Sequence, residues 1–149
     1  KIWHIHGEAC TPSTVIMGQY YYGKLVFTIQ EYLSHRMGVL KHCYKNNIDI
    51  KNPSYIDLFL TKDVYVMGFG MDFSEIDFWW LACCKKRNFP ETKIYVYEPN
   101  VSKVDAKRLV GEAYGIQFVG PQSVDSGEDG YKKYWKEITG ELKELLSEI

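Results

Sequence analysis

Asp63 to Trp80 reads DVYVMGFGMDFSEIDFWW, and the reading of this stretch decides the fold. Val64 to Met67 is a short apolar run with the length and β-branched character of a buried strand, and Gly68 and Gly70 break it. Asp72, Ser74, Glu75 and Asp77 then precede the apolar Ile76, Phe78 and Trp79, which marks a helix start. A strand that turns tightly into a helix places backbone N–H groups at the strand's carboxyl end, where open α/β sheets bind their ligands.

Outward from this junction the pattern continues as strand and helix in alternation. A helix is predicted from about Ser74 to Arg87, ended by Pro90, and a strand over Lys93–Tyr97. A helix follows from about Ser102 to Tyr114, with Val104, Leu109, Val110 and Ala113 inward and Gly115 as C-cap. Ile116–Val119 is the last strand, and a loop over Pro121–Gly130 leads to an amphipathic helix lined by Tyr131, Tyr134, Trp135, Ile138, Leu142, Leu145 and Ile149. This order predicts an α/β fold, a three-layer Rossmann-like parallel sheet with right-handed crossovers and helices on both faces.

Upstream, Ile2–His6 and Thr14–Met17 read as short strands around a Thr-Pro-Ser turn, with His4 and His6 on one face. A helix is predicted from Tyr20 to about Asn46, with Gly38 as a possible break, and a short apolar helical turn over Tyr55–Leu60. The 149 residues and 46% hydrophobic content suffice for one domain with a real core.

Composition narrows the function. A formal charge of −1 argues against a nucleic-acid binder working through a basic surface. Lys85, Lys86 and Arg87 form the one tight basic cluster and read as a solvated helix end. Cys10, Cys43, Cys83 and Cys84 include no CxxC pair, so reduced thiols and a cytoplasmic location are expected. No apolar run is long enough to span a bilayer, and no membrane partner is expected.

His6, followed by Gly7 and Glu8, supports two readings: a general base that projects into a cleft, or a histidine that satisfies its hydrogen bonds at a strand end. A metal reading gathers His4, His6 and Cys10, but no fourth ligand presents itself, and no metal is expected. Gly68 and Gly70 permit close approach of a sugar or phosphate. Asp72, Glu75 and Asp77 oppose phosphate, since a carboxylate about 5 Å from a phosphate charge costs about 3 kcal/mol at an effective dielectric near 20. Asp72 with Glu75 also fits a capping-box spacing, so these acids either cap the helix or reach ribose hydroxyls. Glu98, at the end of the next strand, suits a ribose and Asn100 a base, while Glu-Pro-Asn is also ordinary turn chemistry. Of Trp79 and Trp80, about 100° apart on a helix, one caps the core and the other is free to face a partner. Tyr20, Tyr21 and Tyr22 read as helix packing before base stacking.

Three motifs in order, IWHIHGE from Ile2, GFGMDFSEIDFWW from Gly68 and KIYVYEPN from Lys93, resemble the sirtuin-related (SIR2-like) bacterial NAD-binding family, with the abortive-infection AbiH proteins a close second. The resemblance covers most of residues 1 to 119. It implies NAD as ligand or substrate, His6 as the base acting on the nicotinamide ribose, and Gly7, Gly68, Gly70, Asp72, Ser74, Glu98 and Asn100 as residues along the dinucleotide. Phe69 and Gly70 stand where sirtuins carry hydroxyl residues, and the four-cysteine zinc module of lysine deacylases is missing, so deacylation is not implied. The family's glycine-rich first turn lies upstream of the His-Gly segment. The resemblance therefore implies that this chain is the carboxyl-terminal part of a larger domain, with little activity alone and with self-association through the surface left open. The intact protein is expected to be a glycohydrolase-type phage-defence effector. The alternative is a non-catalytic Rossmann-like interaction module.

Overall fold

The computed structural model describes residues 2–98, 105–119 and 127–147. A 3-10 turn over Pro12–Thr14 is followed by α1 (Gly18–Lys45), α2 (Tyr55–Thr61), β1 (Val64–Met67), α3 (Ile76–Asn88), β2 (Ile94–Tyr97), α4 (Ala106–Ala113), β3 (Ile116–Phe118) and α5 (Glu128–Ser147). The chain is thus α/β, with a small three-stranded parallel sheet in the order β1-β2-β3 and β-α-β-α-β-α connectivity from Val64 onward. It divides into two compact units. One holds the chain up to Val64 together with Met71–Lys93, and the other holds Tyr65–Gly70 and the chain from Ile94.

The first unit is helical. The apolar positions of α1 recur at three- and four-residue spacing, which turns Ile29, Leu33 and Leu40 to one side. They pack with Ile56 and Leu60 of α2, Leu81 of α3 and Phe89 into one buried cluster. Gly38 does not interrupt α1, because neighbouring turns of a 28-residue helix outweigh one glycine's cost of about 1 kcal/mol. Ser54 and Asp57 close a capping box at the start of α2. Asp57 is fully buried, and its carboxylate also accepts from Tyr32 (2.8 Å) and Arg36 (3.2 Å).

Three expectations fail in this unit, each for a local reason. Ile2–His6 and Thr14–Met17 are not strands. The described contacts there are turns, a single bridge between Glu8 and Thr11, and one bond from the Ile16 N–H to the His6 carbonyl (3.0 Å). Proline at the first position of the 3-10 turn leaves too little chain to build a ladder. Lys85 is not part of a solvated helix end. It lies on the inward side of α3, 1% exposed, and its ammonium donates to the carbonyls of Phe59 (2.8 Å), Leu60 (3.3 Å) and Lys62. A cation is favoured where a helix leaves its last carbonyls unpaired, which is the situation at the end of α2. Asp72 and Glu75 do not form a capping box. The Asp72 carboxylate takes the Ser74 N–H (2.8 Å) two residues on, and α3 begins at Ile76 with no side-chain cap from Glu75.

In the second unit β2 is the central strand and is largely buried, paired with β3 through Ile94↔Ile116, Tyr95↔Gln117 and Val96↔Phe118. β1 is an edge strand with Tyr65 and Met67 exposed and Val64 and Val66 half-buried, so the run that reads as a buried strand is covered in part and on one side only. α4 carries Gly111 rather than Leu109 and Ala113 toward β3. A Cβ at Gly111 would come within 2.9 Å of the Phe118 ring, and Leu109 and Ala113 are exposed. Tyr134 and Ile138 of α5 pack against Tyr97. The expectations for Ser102–Val104, for Pro121–Ser126 of the long loop and for Ile149 lie outside the described residues, as does the packing of Leu145. No helix among the described residues is long and apolar enough to cross a membrane.

Candidate functional site

Gly7 fixes the turn that presents His6. Its φ is +85°, and a Cβ there would run into the backbone of Thr14 and Val15, so only glycine fits. His6, 71 residues before its partner in sequence, meets the first turn of α3. Its Nε2 lies 3.0 Å from Asp77 Oδ2, and its Nδ1 lies 3.7 Å from Glu75 Oε2. Tyr22, at the start of α1, completes the group. Its hydroxyl donates to Glu75 Oε2 (3.0 Å), and its ring meets the imidazole edge-on at 5.2 Å. All four residues belong to the first unit.

Burial grades the group. The Asp77 side chain is 4% exposed, Glu75 21% and His6 32%, so a buried acid backs an imidazole that solvent reaches. Asp77 Oδ1 is buried without a hydrogen-bond partner. Such an atom carries a desolvation cost that a purely structural acid avoids. Burial, and next the bond to Glu75, push the Tyr22 phenol up to about 12, so it is a donor at neutral pH. An ionised carboxylate only accepts, so Asp77 holds the proton on His6 Nε2 and leaves Nδ1 as the basic nitrogen. At 3.7 Å, Glu75 lies beyond hydrogen-bond distance of Nδ1, which leaves that nitrogen open to a ligand.

The other residues singled out in the sequence fall as follows. Asp72 is tied to Ser74 in the turn before α3, and its carbonyl accepts from Trp79 Nε1 (3.0 Å). Trp79 is buried and Trp80 packs partly buried on the helical core. Met71, fully buried with φ +45°, holds this turn in a conformation that costs a non-glycine residue about 1 kcal/mol or more. His4 Nε2 lies 3.4 Å from Glu8 Oε1, and the exposed Cys10 thiol donates to Glu8 Oε2 (3.2 Å), so His4 and Cys10 group around Glu8.

In the second unit a Cβ at Gly68 or Gly70 meets nothing within 4 Å, and Gly68 has φ +64°. Glu98 Oε1 pairs with Lys107 Nζ (2.8 Å), which also donates to the Gly70 carbonyl (2.6 Å), while Glu98 Oε2 is buried without a partner. Asn100 lies outside the described residues.

A separate cleft of about 260 Å³ in the first unit is lined by Cys43, Tyr44, Ile48, Asp49, Pro53 and Lys62, among others, and contains none of the residues above. Burial pushes the Cys84 thiol up, away from reactivity. Sequence reasoning flagged His6 and all three acids of the turn, yet missed that Asp77 and Glu75 are the two that meet it. Tyr22 reads from sequence only as one of three tyrosines used for helix packing or base stacking, since nothing in Tyr20-Tyr21-Tyr22 marks the third as the partner of Glu75. No family model matches the chain, and no curated protein or solved structure matches it.

Proposed function

We propose that the protein binds NAD and cleaves its nicotinamide–ribose bond, as a glycohydrolase-type effector of phage defence, with His6 as the base. The observation that carries this reading is the 3.0 Å contact between His6 Nε2 and the buried Asp77, which sets the ring's orientation and its tautomer. The resemblance of the His-Gly segment to that of sirtuin-related proteins supplies the substrate. The β-α-β-α-β order supports a Rossmann-like NAD-binding domain of three layers.

In the reaction the bond from ribose C1′ to the pyridinium nitrogen breaks, and its electron pair leaves with nicotinamide, which departs neutral. Water adds to the ribosyl cation, His6 Nδ1 takes the water's proton, and ADP-ribose results. The Glu75 carboxylate, fixed by Tyr22, is placed to stabilise the developing positive charge. Asp77 steadies the imidazolium. A non-catalytic interaction module is the competing reading, favoured by the exposed Met17, Tyr20 and Phe27. Nicotinamide release by the full-length gene product and by its His6→Ala variant separates the two: the enzyme reading expects turnover that the variant loses, and a protein that neither binds nor cleaves NAD ends it.

A further inference from the structure

The contacts at His6 leave a charge unbalanced. Glu75 and Asp77 bring two carboxylates to one imidazole, and among the described residues their ion pairs are with His6 alone. Asp77 is more than nine-tenths buried, and its Oδ1 has no partner. One ligand atom from each of His6, Glu75 and Asp77 lies within 4.8 Å of the others. An ion bound at about 2.0–2.2 Å holds neighbouring ligands roughly 3–4 Å apart, so small side-chain rotations close the set.

We propose that His6, Glu75 and Asp77 form a binding site for one divalent transition-metal ion. Two carboxylates neutralise its charge, one imidazole nitrogen ligates it, and an Asp77 that binds through both oxygens gives Oδ1 the partner it lacks. One nitrogen and two oxygens suit Mn²⁺, Fe²⁺ or Zn²⁺, whereas Mg²⁺ and Ca²⁺ take oxygen sets. Three protein ligands leave positions for water or a ligand oxygen. An ion here takes the imidazole out of acid–base chemistry, so the loaded site is an inhibited state of the proposed reaction. That consequence alone rests on the NAD reading; binding of the ion does not.

The test is a titration of the metal-stripped full chain with MnCl₂, with free Mn²⁺ followed by its paramagnetic resonance signal and the heat by calorimetry. Mn²⁺ is the probe because it discriminates against the four free thiols. One site per chain is expected, weakened at least about tenfold in Asp77→Asn and in Glu75→Gln, with each variant's circular dichroism unchanged. A double variant, His4→Gln with Cys10→Ser, should bind as the parent does. The proposal is overturned by non-saturating binding, by equal affinity in Asp77→Asn and Glu75→Gln, or by loss of binding in the double variant, which would move the ion to the exposed group around Glu8. NAD is absent from the titration, so its outcome and that of the cleavage assay are independent.

Discussion

Replacing Asp77 by Asn separates an acid kept for chemistry from one kept for stability. Asn preserves the volume and an acceptor for His6 Nε2 and removes the charge. In the parent a charged oxygen is buried without a partner; in the variant a neutral amide nitrogen takes its place, which lowers but does not remove a penalty of about 1–3 kcal/mol for neutral groups and more for charged ones. Against this, the variant loses a charge-assisted bond, with a net worth of about 1.5–3 kcal/mol when well buried but less beside a part-exposed imidazole, and about 0.5 kcal/mol of favourable interaction with the start of α3. The two sides nearly cancel, so Asp77→Asn should leave stability within about 1 kcal/mol of the parent. Asp57 is the internal control. It is equally buried, but its oxygens accept from Tyr32, Arg36 and the Ser54 N–H. Asp57→Asn removes the charge from a fully buried carboxylate, breaks its pair with the part-exposed Arg36 and weakens the bonds from Tyr32 and Ser54, and should cost about 3 kcal/mol or more. Urea titrations followed by circular dichroism at pH 7 measure both. A loss of 3 kcal/mol or more in Asp77→Asn, matching that in Asp57→Asn, would show Asp77 to be structural and refute its place in the site.

Gly7→Ala forces a Cβ into the Thr14 backbone at φ +85° and should destabilise the segment carrying His6 by more than about 2 kcal/mol, read as faster amide exchange over residues 5–16 with the helical core unaffected. Tyr22→Phe keeps the ring against His6 and removes the bond to Glu75, for a cost of about 1 kcal/mol in a denaturant titration. Lys85 gives a pH signature. Burial lowers its ammonium from 10.5 to about 8, so between those values the unfolded chain binds more protons and stability rises with pH, by up to about 3 kcal/mol. Tyr22, Tyr55 and Tyr134, raised by burial from 10.0 to about 12, act in the opposite sense above pH 10, and the Cys84 thiol, also raised by burial, does so above about pH 9, so the Lys85 contribution is read as the difference between the parent and Lys85→Met over pH 8–10. Lys85→Met should remove that rise, and stabilities of parent and variant that run parallel from pH 8 to 10 would contradict the burial of that ammonium.

Helices and strands from Val64 onward were legible because periodicity, glycine stops and Pro90 all act within a few residues of chain. What failed needed distant partners. Ile2–His6 has strand-like residues but no strand to pair with among the described residues, and Lys85 in Lys-Lys-Arg is indistinguishable from its basic neighbours until the end of α2 is placed against it. Val64–Met67 reads as buried, yet the order of the sheet puts it at an edge. In the site, the local pattern named His6 and Gly7 together, and the structure shows Gly7 as the positive-φ residue of the turn that carries His6. It could not choose among Asp72, Glu75 and Asp77, because that choice follows from helical phase and from where His6 arrives. Asp72 satisfies its own turn, and the next two acids on the helix side face the imidazole.

The most direct test of the account is nicotinamide release from NAD by the full-length gene product and by His6→Ala, assayed at equal protein concentration and with metal removed. The account predicts turnover by the parent and a rate at least about 100-fold lower in the variant, the usual worth of a general base. Equal rates in the two, or failure of the parent to bind NAD, would contradict it.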